Sequence, residues 1–271
     1  MPVSTVTIKS KDEIALMREA GRLNAEVRAA LREAVAPGVT GRDLDGLAKD
    51  AIAQRGGTPT FVGYGPGGRP PYPGAICYSV NDHLVHGIPG SRALKDGDIV
   101  SIDLGVTYRG YVSDAAFTCG VGEVSAEAEE LMRVTEASLW AGIEQARPGN
   151  YLGDISAAIG RFGEVAGYGI VQEYGGHGVG REMHEPPHVP NFGRPGIGFK
   201  LKAGMVLALE PMFALGRPET EEMADHWTVR MRDGSLSAHF EETIAILDEG
   251  PEVLTRIRER SGIREQVGGQ R

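Results

Sequence analysis

The sequence predicts an α+β fold built from two similar αβ halves that face each other across a shared cleft. Three observations predict it. A helix–Pro-Gly–helix pattern recurs at a constant offset of 111 residues, with Pro37, Gly38, Asp43 and Leu44 mapping onto Pro148, Gly149, Asp154 and Ile155. Alternating, strand-like runs accompany each helix pair. Five isolated acidic and imidazole side chains, Asp103, Asp114, His177, Glu210 and Glu241, sit in apolar or Gly-rich stretches where a lone charge is costly to bury. Two belong to the first half and three to the second. Chance recurrence of a common helix–turn–helix pattern is the competing reading.

Residues 12–36 carry Ile14, Met17, Gly21, Asn24, Val27, Leu31 and Val35 at helical spacing, and Pro37-Gly38 ends that helix. Thr40 with Asp43 three residues on reads as a capping box opening a helix over 41–55. Residues 56–74 hold seven Gly and five Pro, so they read as loop. Asp98–Val106 and Tyr111–Cys119 alternate like an antiparallel hairpin with Tyr108 and Arg109 at its tip. That register sets Asp103 directly opposite Asp114, roughly 5 Å apart at Cβ. Helices follow over 125–146 and 152–166.

The last third reads as β-rich. Met205–Phe213 and Ser237–Leu247 are strand-like, and Asp233-Gly234 signals a hairpin turn between Val229–Arg232 and the final strand. Residues 186–200, with four Pro and three Gly, read as loop, and the polar tail after about 258 as frayed. Nothing resembles a linker, so 1–271 is expected to form a single catalytic domain with half-repeats at about 12–120 and 125–248.

Composition narrows the function. A net charge of −9 disfavours independent nucleic-acid binding, which needs clustered Lys and Arg. Cys77 and Cys119 are too far apart for a thiolate zinc motif, and nothing suggests a disulfide framework. No 18-residue apolar run and no signal-like N-terminus occur, so the chain reads as soluble and cytoplasmic.

Two carboxylates as close as Asp103 and Asp114 repel unless a cation lies between them. Hard carboxylates with one imidazole suit Mn, Fe, Co or Zn. Glu210 stands in the apolar run GMVLALEPMF, and Glu241 in SAHFEETIAIL, where His239, Glu241 and Thr243 share a face. His177 sits in YGGHGVG, whose glycines let backbone crowd a ligand. The glycines do not follow a phosphate-cradle order. His86 and His184, each read alone, are ordinary structural histidines.

Their joint order is more specific. NDHLVHGIP, DLGVTYRGYVSDAAFT, GGHGVGREMHEPP, LALEPM and SLSAHFEETIAI together resemble the methionine aminopeptidases, from the first helix to about residue 248. The resemblance implies the pita-bread (creatinase/aminopeptidase) fold around a dinuclear metal cleft, with two divalent ions (Co, Mn, Fe or Zn) per chain. It implies that Asp114 and Glu241 bridge the ions, that Asp103 chelates one, and that His177 and Glu210 hold the other. The implied reaction removes the initiator methionine when the second residue is small, by metal-activated hydroxide attack on the first peptide bond. Glu210 would move protons, His184 would stabilise the oxyanion, and His86 would contact the scissile nitrogen. The family's pocket positions fall on Phe61, Tyr64, Tyr72, Cys77, Met183 and Trp227. Nascent-chain N-termini would be the partner, with transient ribosome contact, no membrane and a monomeric state.

Only 85 residues precede His86, too few for the extra N-terminal domain of prolidases. The interval from His184 to Glu210 is only 26 residues, too short for the helical insertion of the type II enzymes, so the likeness is to type I. Three departures stand out. Met183 replaces a common aromatic, Gly65–Pro71 looks inserted between the pocket tyrosines, and Glu242 stands where histidine is frequent. Glu242 would add negative charge beside a ligand. An Xaa-Pro-cleaving relative and a catalytically silent peptide- or ribosome-binding module are the competing readings; all five ligands being present argues against the last.

Overall fold

A computed structural model describes residues 6–257. The tail after 258 lies outside the described residues. The chain starts with helices α1 (Lys11–Ala34) and α2 (Gly41–Gln54), then strands β1 (Thr58–Pro59), β2 (Cys77–Val80), β3 (His83–Val85), β4 (Ile99–Tyr108) and β5 (Tyr111–Gly120). Helices α3 (Ala126–Gln145) and α4 (Leu152–Ala166) follow, then β6 (Gly169–Ile170), β7 (Gly175–Gly178), β8 (Glu185–Pro190), β9 (Val206–Leu209) and β10 (Met212–Ala214). Strands β11 (Thr220–Glu222), β12 (Val229–Met231), β13 (Ser237–His239), β14 (Glu242–Leu247) and β15 (Gly250–Val253) complete it.

Capping chemistry starts the helices where the sequence places them. Ser10 with Glu13, and Thr40 with Asp43, each form a reciprocal capping box, satisfying N–H groups that have no helical partner. The Asp154 carboxylate accepts from the Tyr151 N–H at the start of α4, 111 residues beyond the Thr40–Asp43 contact. Apolar faces of all four helices, including Val27, Leu44, Leu139 and Ile155, back onto one core with Ile102, Leu207 and Ile244 of the sheets.

The hairpin register differs from expectation. The tip is Arg109-Gly110, with φ of 48° and 80°, the paired left-handed residues of a two-residue turn matched to strand twist. Asp103 therefore pairs with Ala116, and Asp114 with Gly105. The two aspartates keep the same face but sit diagonally, a spacing of about 7–8 Å at Cα.

Two expected long strands are interrupted, and each break falls on a site carboxylate. Met205–Phe213 divides into β9 and β10 at Glu210-Pro211, where proline cannot donate to a ladder. Ser237–Leu247 divides into β13 and β14 at Phe240-Glu241. Strands β9 and β14 belong to a five-stranded sheet, β15-β14-β9-β7-β8, whereas β10 and β13 belong to a three-stranded sheet, β13-β10-β6. The chain thus changes sheet at Glu210 and again at Glu241.

Two further expectations are corrected. Asp233-Gly234 does not join a hairpin, since β12 pairs with β11 and β3 while β13 pairs with β10. Its turn is held by Asp233 accepting from the Arg217 and Ser235 N–H groups. Residues 186–190 are strand rather than loop, because β8 is an edge strand, where prolines are tolerated.

Candidate metal centre

Contact between the two parts of the chain starts at backbone level. Ala116 of β5 and Glu241 exchange both N–H···O bonds, at 3.2 and 3.0 Å. The Asp114 N–H donates to Thr243 Oγ1 (2.9 Å), and that hydroxyl donates to the Asp114 carbonyl (2.7 Å). Asp114 and Glu241 are thereby fixed side by side. His177 on β7 pairs with Ala208 on β9, two residues before Glu210. Its glycine frame does let backbone crowd in: a Cβ on Gly176 would lie 2.3 Å from the Ala208 carbonyl oxygen.

Together these contacts gather the five residues. His177 Nε2 stands 3.8 Å from Asp114 Oδ2 and 3.7 Å from Glu210 Oε1. His177 Nδ1 lies 2.9 Å from the Gly178 carbonyl, which makes Nδ1 a donor and turns Nε2 toward the carboxylates. Donor atoms of Asp114, His177 and Glu241 lie within 4.8 Å of one another, and so do those of Glu210, His239 and Glu241. Asp103 belongs to neither triplet, consistent with the diagonal register, but its carboxyl adjoins Asp114.

These residues fit divalent cations. Asp103 Oδ1, Asp114 Oδ1 and Glu241 Oε1 are buried without a hydrogen-bond partner. Burial and mutual repulsion push the Asp103 and Glu241 carboxyls well above the usual range, and burial with the Glu210 charge lifts Asp114 to about 8. Burial acts to raise Glu210 as well, but contact with His239 and the nearby His177 imidazole outweigh it and hold that carboxyl low. Carboxylates that buried call for positive charge, and the nearest arginine effect, from Arg28, is minor.

His86 and His184 flank the cluster. His86 follows β3 with φ of 59°, its ring 5.8 Å from Tyr174 and 6.3 Å from Trp227. The His184 ring is 4.3 Å from that of His177, and its Nδ1 is 2.7 Å from Tyr64 Oη. Burial depresses both imidazoles to about 4, His184 further through His177, so both are neutral near pH 7. A cavity of about 240 Å³ holds all five candidate ligands, both histidines, and Phe61, Tyr64, Tyr72, Cys77, Met183 and Trp227. Tyr72 is fixed there by its hydroxyl donating to the Gly87 carbonyl at 2.7 Å.

Two residues revise the sequence reading. Glu242 does not load charge onto the cluster: it points from β14 toward α1, where it pairs with Arg28 at 2.9 Å and accepts from the Thr255 hydroxyl. His239 was only a strand-face neighbour of Glu241 in the sequence. It is 2% exposed, with an unpartnered Nε2 standing 3.4 Å from Glu210 Oε2. The Gly65–Pro71 segment is tied to a cavity residue, its Pro70 carbonyl accepting from Trp227 Nε1 at 2.9 Å.

Comparison with known proteins agrees with this geometry. The model of metallopeptidase family M24 matches residues 15–248. A methionine aminopeptidase of Clostridium perfringens is 51% identical over 254 residues, covering 93% of this chain and all of that protein. Methionine aminopeptidase 1 of Bacillus subtilis is 46% identical over 252 residues, covering 93% and 100%. The crystal structure of a methionine aminopeptidase from Thermotoga maritima superposes with a TM-score of 0.90 at 41% identity, covering 93% and 100%. A prolidase from Pyrococcus furiosus shares the fold, with a TM-score of 0.74 at 23% identity.

Proposed function

The chain belongs to metallopeptidase family M24, and we propose that its cleft performs the methionine aminopeptidase reaction, releasing the N-terminal methionine of nascent polypeptides whose second residue is small. The observation that carries this is the buried, cation-deficient cluster of Asp103, Asp114, His177, Glu210 and Glu241 opening onto an apolar cavity. These five would hold two divalent ions, Asp114 and Glu241 from between them. Such a pair supplies water activation and carbonyl polarisation when bound.

The protein's own groups do the rest. Phe61, Tyr64, Cys77, Met183 and Trp227 line the space for an unbranched thioether, which packs well against aromatic rings. Glu210, held low chiefly by its contact with His239, takes a proton from water and returns it to the departing amine. With the Tyr64 hydroxyl, 2.7 Å from His184 Nδ1, acting as donor, the imidazole proton would stand on Nε2, where neutral His184 would donate to the developing oxyanion. His86 faces the scissile nitrogen. Selection for methionine over shorter side chains then rests on dispersion and shape, about 1–3 kcal/mol per missing methylene-sized group.

Residues 12–120 and 125–248 act as half-repeats of a single domain, supported by the capping contacts that recur at the 111-residue offset. A cytoplasmic, monomeric enzyme meeting its substrates at the ribosome suits this reaction, and no described helix is long and apolar enough to cross a membrane. Release of methionine from Met-Ala-Ser with Mn, Co or Fe supplied, and its loss on chelation, is the expected result. Cleavage of Xaa-Pro peptides in preference, or of neither substrate, would refute the reading.

A further inference from the structure

The turn that carries Met183 and His184 into the cleft is held from outside it. Glu185 Oε1 accepts from the Arg181 N–H at 2.9 Å and the Glu182 N–H at 3.4 Å, so one carboxylate oxygen fixes the turn's backbone. Its other oxygen is held by Lys9 Nζ at 2.7 Å and Thr7 Oγ1 at 2.5 Å, and Lys9 also donates to Thr7. Lys9 is only 8% exposed, a burial that lysine tolerates when it is paired, as here with Glu185. Its own N–H donates to the Gly204 carbonyl at 2.7 Å, anchoring the segment before α1. The packing leaves no slack: a Cβ on Gly180 would lie 2.4 Å from Glu185 Oε1 and 2.7 Å from Lys9 Cε. A second tie runs from Glu13 through the Tyr111 hydroxyl (2.7 Å) to Arg181 Nη2 (2.6 Å).

We propose that Lys9 is a positioning residue: through Glu185 it sets the Met183–His184 turn, and thereby the placement of the oxyanion donor and one pocket wall. Without the ammonium, a mostly buried carboxylate lacks its counter-charge, and it regains solvation only by moving and releasing the Arg181 and Glu182 N–H groups. Lys9 does not line the cavity.

The inference rests on His184 acting as proposed above, and a double-mutant cycle separates the two. Lys9→Met should lower kcat on Met-Ala-Ser about tenfold, with divalent-ion stoichiometry unchanged by calorimetry and kcat restored by Lys9→Arg. In a His184→Ala background the same change should cost less than twofold, because the donor it positions is gone. A Lys9→Met enzyme within twofold of the parent, or a loss as large in the His184→Ala background, overturns the positioning role. Full turnover in His184→Ala alone overturns instead the assignment of His184. Should Lys9→Met not fold, Thr7→Val and Glu185→Gln enter the same cycle with the same expectations, at about threefold.

Discussion

At the scale of single residues, the site depends on where protons sit. Tyr64 Oη and His184 Nδ1 form a hydrogen-bonded pair at 2.7 Å, and the proposed reaction needs the phenol as its donor, with the imidazole proton on Nε2. Tyr64→Phe should therefore lower kcat about tenfold with little change in KM, whereas His184→Ala should lower it 10²–10³-fold, the usual cost of an oxyanion donor. Steady-state kinetics with Met-Ala-Ser checks both, and a Tyr64→Phe enzyme that loses KM alone would make Tyr64 a pocket wall only. The five gathered side chains were legible in the sequence because charges are sparse in apolar runs such as GMVLALEPMF. His239 was not, because nothing local tells an imidazole facing a cluster from one facing a core. Its place appears only when the break at Phe240-Glu241 brings it beside Glu210.

At the scale of elements, chain breaks and register position the chemistry. Helix periods and the Thr40–Asp43 cap were readable from local sequence; the structure adds Ser10, Ser125 and Asp154 at the starts of α1, α3 and α4. Strand continuity was not readable. Apolar, strand-like sequence flanks Glu210 and Glu241 on both sides, although the backbone leaves one sheet for another there. The hairpin slipped for a similar reason, since only the left-handed pair Arg109-Gly110 fixes the register. Strand β14 also joins to α1 through the Arg28–Glu242 pair, largely buried from solvent. Glu242→Gln strands the Arg28 guanidinium and should cost about 3 kcal/mol in chemical denaturation. Divalent-ion binding should be unchanged, because Glu242 faces away from the cluster; a lost equivalent of metal would contradict that geometry.

At the scale of the whole molecule, the fold concentrates carboxylates that it cannot stabilise alone. In the metal-free protein the Asp114 carboxyl, raised from 3.8 to about 8, keeps its proton while the unfolded chain has lost its own. The folded state then binds more protons than the unfolded one, so stability falls as pH rises from about 4 to about 8. Asp103 and Glu241, shifted the same way, add to that slope. Depressed imidazoles at His86 and His184 act oppositely, removing stability as pH falls from 6.5 toward about 4. Thermal denaturation of chelator-treated protein should thus show Tm declining above about pH 6, and added Mn or Co should raise Tm most at the alkaline end. A Tm gain independent of pH would mean that the ions bind somewhere other than these carboxylates.

The internal offset of 111 residues predicted two parts meeting at a cleft, and the Ala116–Glu241 bridge is where they join at the site. How tightly they close on a substrate methionine was beyond the sequence, because Phe61, Met183 and Trp227 come from three distant loops. The five gathered side chains should hold a pair of ions. Anomalous diffraction from crystals soaked in Mn tests it most directly. The expected map has two peaks roughly 3.5–4 Å apart, both touched by Asp114 and Glu241, with Asp103 on one and His177 and Glu210 on the other. Peaks confined to the protein surface, in crystals of enzyme that still releases methionine, would contradict the account.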